Sequence, residues 1–125
     1  MKCACINVEV EDGTTFERIE NRVAKKQHRC CECRRTIEIG EQYENFAGKW
    51  DAEFWCFKTC SDCLSIRKSF FCNGHEFHSI LSRLTSHIED MNAEISSDCL
   101  VLLTPNARAL VCEMIEVAWK QMEEA

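Results

Sequence analysis

Proline, glycine and long apolar runs are scarce in this sequence. Pro105 is the single proline and there are four glycines in 125 residues, so a low-complexity or loop-dominated chain is excluded. The longest aliphatic run, LVLL at residues 100–103, is far shorter than a bilayer requires. The first residues, MKCACINVEVEDGTT, lack the apolar stretch of a signal peptide and turn acidic by Glu9. We therefore expect one domain, residues 1–125, in the cytosol and without a membrane partner.

Cysteine, in contrast, is abundant, with 11 residues. In a reducing cytosol such a number favours metal binding over disulfides. The pairs Cys30-x-x-Cys33 and Cys60-x-x-Cys63 repeat one spacing, and that spacing lets both sulfurs of a pair reach one tetrahedral ion. We predict a Zn²⁺ site made of these four thiolates. Buried free thiols are the alternative, as is a redox Cys-x-x-Cys, although no thioredoxin-like βαβ pattern surrounds either pair.

The residues between the two pairs predict a β-hairpin. Side chains alternate over residues 42–48, with Tyr43 and Asn45 on one face, and Gly48 is expected to begin a loop. Residues 54–58, FWCFK, are typical of the returning strand, and a helix carrying Cys63 should follow. A cysteine turn, a hairpin and a helix that supplies the last two ligands form a treble-clef zinc finger. The predicted fold class is therefore α+β.

The C-terminal half predicts helices. Apolar residues recur at helical spacing from Phe77 to Met91. Thr104-Pro105 marks another helix start, because it combines a capping hydroxyl with proline at the first helical position. The apolar stripe of that helix extends to Met122. We divide the chain into an N-terminal segment (1–24), a Cys₄ treble clef (25–71) and a helical part packed on it (74–123).

The remaining cysteines suggest two weaker metal sites. One would combine Cys3, Cys5, His28 and Cys31. The other would combine Cys72, His75, His78 and Cys99, although both histidines would equally suit the exposed start of a helix. Neither spacing is diagnostic of zinc. We expect Cys56 and Cys112 to be core residues.

Basic residues cluster around the first cysteine pair of an acidic chain, whose net charge is −6. The cluster comprises Arg22, Lys25, Lys26, Arg29, Arg34 and Arg35. It is a candidate patch for nucleic acid or a protein partner. The alternative is that it offsets the negative charge that four thiolates leave on a bound Zn²⁺.

Catalytic motifs are not found around the cysteine pairs. A ββα-metal nuclease needs a histidine in its hairpin, and a zinc deaminase needs His-x-Glu with Pro-Cys-x-x-Cys. Here Thr59 precedes Cys60 and Glu76 directly follows His75. Four cysteine ligands also leave no open position for water. We expect a protein that is not an enzyme.

Residues 25–67, KKQHRCCECRRTIEIGEQYENFAGKWDAEFWCFKTCSDCLSIR, resemble a family of small zinc-binding proteins encoded by bacteriophages and prophages. The resemblance rests on His-x-Cys-Cys-Glu-Cys, Ile-x-x-Gly-Glu-x-Tyr, Gly-x-Trp-Asp and Phe-Lys-Thr-Cys-x-x-Cys, and continues loosely through FFCNGHEF and LLTPNARALVCEMIE. Arg34 departs from the glycine that such cysteine turns often carry. The resemblance implies a phage or prophage origin and a zinc-binding fold, but no activity.

Two functions are compatible with these features. The first is a non-enzymatic protein that binds and modulates a host or phage protein, such as a CRISPR-type defence component or the transcription machinery. The second is a nucleic-acid-binding transcription regulator that uses the basic patch. The sequence leaves the partner and the oligomeric state open.

Overall fold

The computed structural model describes residue 6 and residues 14–50, 53–71, 74–75 and 77–123. It has mixed α and β structure, which confirms the predicted α+β class. The strands are β1 (Thr14–Val23), β2 (His28–Arg29), β3 (Thr36–Ile37), β4 (Gln42–Trp50) and β5 (Glu53–Cys60). The helices are α1 (Ser61–Phe70), α2 (Ile80–Asp90) and α3 (Pro105–Glu123), with a short 3₁₀ turn at Ser97–Cys99.

Strands β1, β4 and β5 form an antiparallel sheet with β4 in the centre. The predicted hairpin is thus confirmed as β4–β5. Strand β1, which pairs with β4 from Val23↔Gln42 to Thr14↔Trp50, was not predicted. Its sequence has few apolar residues and carries the charged residues Glu17, Arg18, Glu20 and Arg22. Such charges are common on edge strands, which need little burial.

Two predicted boundaries were wrong. Gly48 does not begin a loop, because its backbone lies inside β4 opposite Glu17 and Trp55. The helix expected from Phe77 begins only at Ile80. His78 interrupts it with φ 68°, in the left-handed region. Phe77 instead stacks on Phe57 of β5 at a centroid distance of 4.2 Å.

The helices pack around one cluster of buried side chains that extends from Ala24 to Ala118. Its largest fully buried members come from β3 and from all three helices: Ile37, Ile66, Phe70, Ile80, Leu84, Ile88 and Val111. The far end of α3 leaves this cluster, so Trp119 and Met122 are exposed. No helix in the described ranges is long and apolar enough to cross a membrane.

The predicted start of α3 is confirmed. Pro105 is its first residue, and the Thr104 Oγ1 accepts a hydrogen bond from the Ala107 N–H at 3.3 Å. This capping bond satisfies one of the N–H groups that the first helical turn leaves without a partner.

Candidate metal centre

The structure brings Cys30, Cys33, Cys60 and Cys63 together. Their four sulfurs all lie within 4.8 Å of one another, and the Cys33 and Cys60 sulfurs are 3.8 Å apart. Sulfurs bound at about 2.3 Å to a tetrahedral zinc ion would be separated by about 3.8 Å. Cys30, Cys60 and Cys63 are buried and Cys33 is half-buried. The cluster therefore has the size and the donor set that a tetrahedral metal ion requires.

The first pair lies in a tight turn between β2 and β3. The Arg34 N–H donates to the Cys30 carbonyl at 3.1 Å, and the Cys30 N–H donates to the Arg35 carbonyl at 2.9 Å. Arg34 has φ 67°, a left-handed conformation that costs a non-glycine residue about 1–2 kcal/mol. Glycine, which has no Cβ, would adopt this conformation without that cost.

The second pair joins a strand to a helix. Cys60 is the last residue of β5 and caps α1, since its sulfur accepts the Cys63 N–H at 3.4 Å. The Cys30 sulfur accepts the Glu32 N–H and the Cys60 N–H, each at 3.4 Å. The positive end of the α1 dipole also faces this pair. These donors favour thiolates over neutral thiols.

The four cysteines of the cluster shift one another's pKa. Hydrogen bonds from the other three thiols, and from the Cys60 N–H, lower the pKa of Cys30. Hydrogen bonds with Cys30 and Cys33 raise the pKa of Cys60 and of Cys63. Because like charges repel at this distance, the four sulfurs cannot all be thiolates without a cation between them. A bound divalent cation would stabilise all four as thiolates.

Each cysteine pair also carries an acid just before its second cysteine, and the two acids anchor different helices. Glu32 accepts the His78 N–H at 2.9 Å and the Ile80 N–H at 3.3 Å, which caps α2. Asp62 accepts the Thr104 hydroxyl at 2.6 Å, so it holds the residue that caps α3. The sequence analysis missed both roles. The shared pattern Cys-x-acid-Cys was the only available signal.

The predicted basic patch divides into paired and unpaired cations. Arg22 forms an ion pair with Glu20 at 2.6 Å. Arg35 pairs with Glu41 at 2.9 Å and with Asp62 at 3.1 Å, and the hydrogen bonds that Arg35 donates to Glu41 raise the pKa of Arg35.

The other four cations, Lys25, Lys26, Arg29 and Arg34, are exposed. Among the described residues they form no ion pair. Arg29 donates to the Arg34 carbonyl at 3.0 Å, which places two of them side by side on the first cysteine turn.

The first of the two weaker metal sites cannot be assembled from described residues, because Cys3 and Cys5 lie outside them. The His28 ring packs against Tyr43 at a centroid distance of 5.1 Å. The Cys31 sulfur lies 3.6 Å from the Thr59 hydroxyl, and burial raises the pKa of the Cys31 thiol to about 12. Cys31 is therefore a neutral thiol in this environment.

The second weaker site includes Cys72, which also lies outside the described residues. His78 Nδ1 is 2.9 Å from the Cys31 carbonyl, and His75 Nε2 is 3.3 Å from an Arg67 nitrogen. Cys99 is buried and disulfide-bonded, contrary to the expectation of metal rather than disulfides. Within the part of the chain that the structure describes, the four-cysteine set is the one group of three or more candidate metal ligands.

The two cysteines expected in the core behave differently. Cys112 is half-buried on α3, but Cys56 is exposed. The expectation for Cys56 was wrong because it lies in the outer half of β5, where residues 53–56 are all exposed. There its thiol donates to the Asn45 side-chain oxygen at 3.2 Å.

Comparison with known proteins gives no relative from which a role could be transferred. No family model, no curated protein and no solved structure matches the chain.

Proposed function

We propose that this chain is a non-enzymatic, zinc-stabilised protein of phage or prophage origin that binds and modulates a host protein in the bacterial cytosol. The first support is the donor set of the metal centre. Four thiolates complete the tetrahedral coordination of Zn²⁺, so substrate or water would find no open position on the ion. The ion would then stabilise the fold, and the protein would act by binding through its surface.

The proposed fold around that ion is a treble clef. The turn between β2 and β3 supplies Cys30 and Cys33, and hairpin β4–β5 leads directly into α1. Cys60 and Cys63 lie at the start of that helix. This order of turn, hairpin and helix supports the assignment.

The observation that carries the binding role is the exposed aromatic character of β5. Phe54 is 72% exposed and Trp55 is 48% exposed, and Trp55 stacks on Phe57. Because successive strand residues point to opposite faces, Trp55 and Phe57 share one face of β5 and Phe54 lies on the other. Contiguous aromatic groups that are at least partly exposed, such as the Trp55–Phe57 pair, mark interaction surfaces. Aromatic side chains also supply most of the binding energy in protein interfaces.

The target is proposed to be a nucleic-acid-handling host machine, such as a CRISPR-type defence complex or the transcription apparatus. The overall charge of −6 supports this proposal. An acidic protein can occupy a positively charged groove that normally holds nucleic acid.

The test is an affinity purification from bacterial lysate, with and without nuclease, using the zinc-loaded full chain. We expect a single protein partner that survives nuclease and is lost with Phe54→Ser/Trp55→Ser. The matched control is Val101→Ser/Leu102→Ser, since these residues are also highly exposed and apolar. Equal loss with both double variants would show non-specific adhesion and would contradict the proposed surface.

The four unpaired cations around the first cysteine turn favour a second candidate, a nucleic-acid-binding transcription regulator. The test compares Lys25→Glu/Lys26→Glu with Lys68→Glu/Lys120→Glu, which change the net charge equally. If phosphates bind this patch, the first variant should weaken DNA binding and flatten its salt dependence by about two charges, whereas the second should not. Equal effects would reject the patch as a nucleic-acid site.

A further inference from the structure

A groove lies between α2 and α3, on the side of the protein formed by its helical half. Its cavity volume is about 290 Å³, which is at the small end for ligand pockets and suits a few apolar side chains better than a cofactor. Ile88 of α2 and Leu110, Met114 and Val117 of α3 form the apolar lining. Ala118 also lines it, and its single methyl group leaves the space open.

The walls of this groove carry negative charge on both sides. Glu89 projects from α2 and Glu113 from α3, and both are exposed. Among the described residues, no lysine or arginine lines the groove. A complementary ligand would therefore present apolar groups in its middle and positive charges along both flanks.

The spacing of the lining residues indicates the shape of that ligand. On α3 they run from Leu110 to Gln121 at intervals of three or four residues, a stretch of about 16 Å along the helix. A groove between two helices with this periodicity accepts a third helix, whose own side-chain ridge fits into it.

We propose that the α2–α3 groove binds an amphipathic helix of a partner protein, with apolar side chains in the groove and lysine or arginine residues beside Glu89 and Glu113. This inference rests on the proposed protein-binding role and gives the chemistry of the partner. It concerns a surface separate from β5.

The probe is a fluorescent 15-residue helical peptide of leucine and lysine, with leucine at helical spacing. It is titrated against the zinc-loaded full chain at physiological salt, beside a peptide in which glutamate replaces lysine. Glu113→Lys should weaken binding of the leucine–lysine peptide about tenfold. Glu116→Lys is the matched control, because Glu116 lies on the same helix and is exposed but does not line the groove. It should change affinity less than about twofold.

A second variant tests the shape of the groove without changing charge. Ala118→Leu fills the floor, so it should weaken binding at least tenfold in protein that a melting curve shows to be folded. Equal effects of Glu113→Lys and Glu116→Lys, equal affinity for the glutamate peptide, or unchanged binding by folded Ala118→Leu would each overturn the proposal. So would concentration-dependent self-association that Glu113→Lys abolishes, since the occupant would then be a second copy.

The same variants separate this inference from the proposed function. If a lysate partner is captured equally well by wild type and by Glu113→Lys, the groove proposal fails while the protein-binding role stands. If wild type captures no protein partner but binds the leucine–lysine peptide with the expected variant pattern, the groove is supported and the modulator role fails.

Discussion

The cap that Glu32 provides to α2 gives the sharpest test of how the metal centre stabilises the rest of the fold. Glu32 lies between Cys30 and Cys33, yet its carboxylate accepts the N–H of Ile80, the first residue of α2, and the N–H of His78 just before the N-cap. Ser79, at the N-cap position, makes no side-chain capping bond, and the first turn of α2 contains no acid. We predict that Glu32→Ala destabilises the protein although the residue is not a ligand.

The magnitude follows from the contacts that are lost. Loss of a helix cap costs about 0.5–2 kcal/mol, and loss of a negative charge at a helix N-terminus costs about 0.3–1 kcal/mol. Because Glu32 is only half-buried, we expect about 1.5–2.5 kcal/mol in total. Glu32→Gln keeps one acceptor oxygen and loses the charge, so it should cost about half as much.

The assay is urea unfolding at a fixed, buffered concentration of free zinc, so that metal binding contributes equally to every variant. Glu17→Ala is the control, because Glu17 is exposed on β1 and its loss should change stability by less than about 0.5 kcal/mol. A free energy of unfolding for Glu32→Ala that equals the Glu17→Ala value would refute the reasoning.

Three other predictions follow from the site and its surroundings. Cys63→Ser should leave the domain unfolded at neutral pH, because a structural zinc site contributes on the order of 10 kcal/mol. Circular dichroism would show the unfolding, with Cys112→Ser as the control. A folded Cys63→Ser variant as stable as Cys112→Ser would disprove a structural metal site. Arg34→Gly should raise the free energy of unfolding by about 0.5–1 kcal/mol, since relief of the left-handed strain exceeds the added chain entropy of glycine; a loss of stability would contradict this. Burial, with a smaller contribution from Arg67, lowers the pKa of His75 to about 4. Between pH 6.5 and 4, His75 is therefore protonated in the unfolded chain but neutral in the folded state. Stability should therefore fall as pH decreases from 6.5 towards 4, and His75→Gln should fall less steeply over the same range; parallel curves would remove His75 as the cause.

The local signals in the sequence predicted the features that depend on neighbouring residues. Two matched Cys-x-x-Cys spacings predicted the sulfur cluster because the geometry of each pair is fixed within four residues. Thr104-Pro105 predicted the start of α3 for the same reason, since a helix cap needs only its own first turn.

The features that depend on distant residues could not be predicted in this way. Strand β1 exists because β4 offers it a pairing edge, and its own charged sequence does not reveal that partner. The late start of α2 reflects the position of His78 and Phe77 against β5 and the first cysteine turn. The capping role of Glu32 was not predicted, because no short pattern indicates a helix 48 residues away.

The two acids within the cysteine pairs also have a consequence for the order of folding. Glu32 reaches Ile80 across 48 residues, and Asp62 reaches Thr104 across 42. Contacts of such sequence separation form late, because the intervening chain must first lose the entropy of loop closure. Both acids lie between zinc-binding cysteines, Glu32 in the first cysteine turn and Asp62 in the first turn of α1, so zinc binding would hold them in place. The refolding rate should therefore increase with free zinc until metal binding is no longer limiting, and the docking of α2 and α3 should then become the slow step.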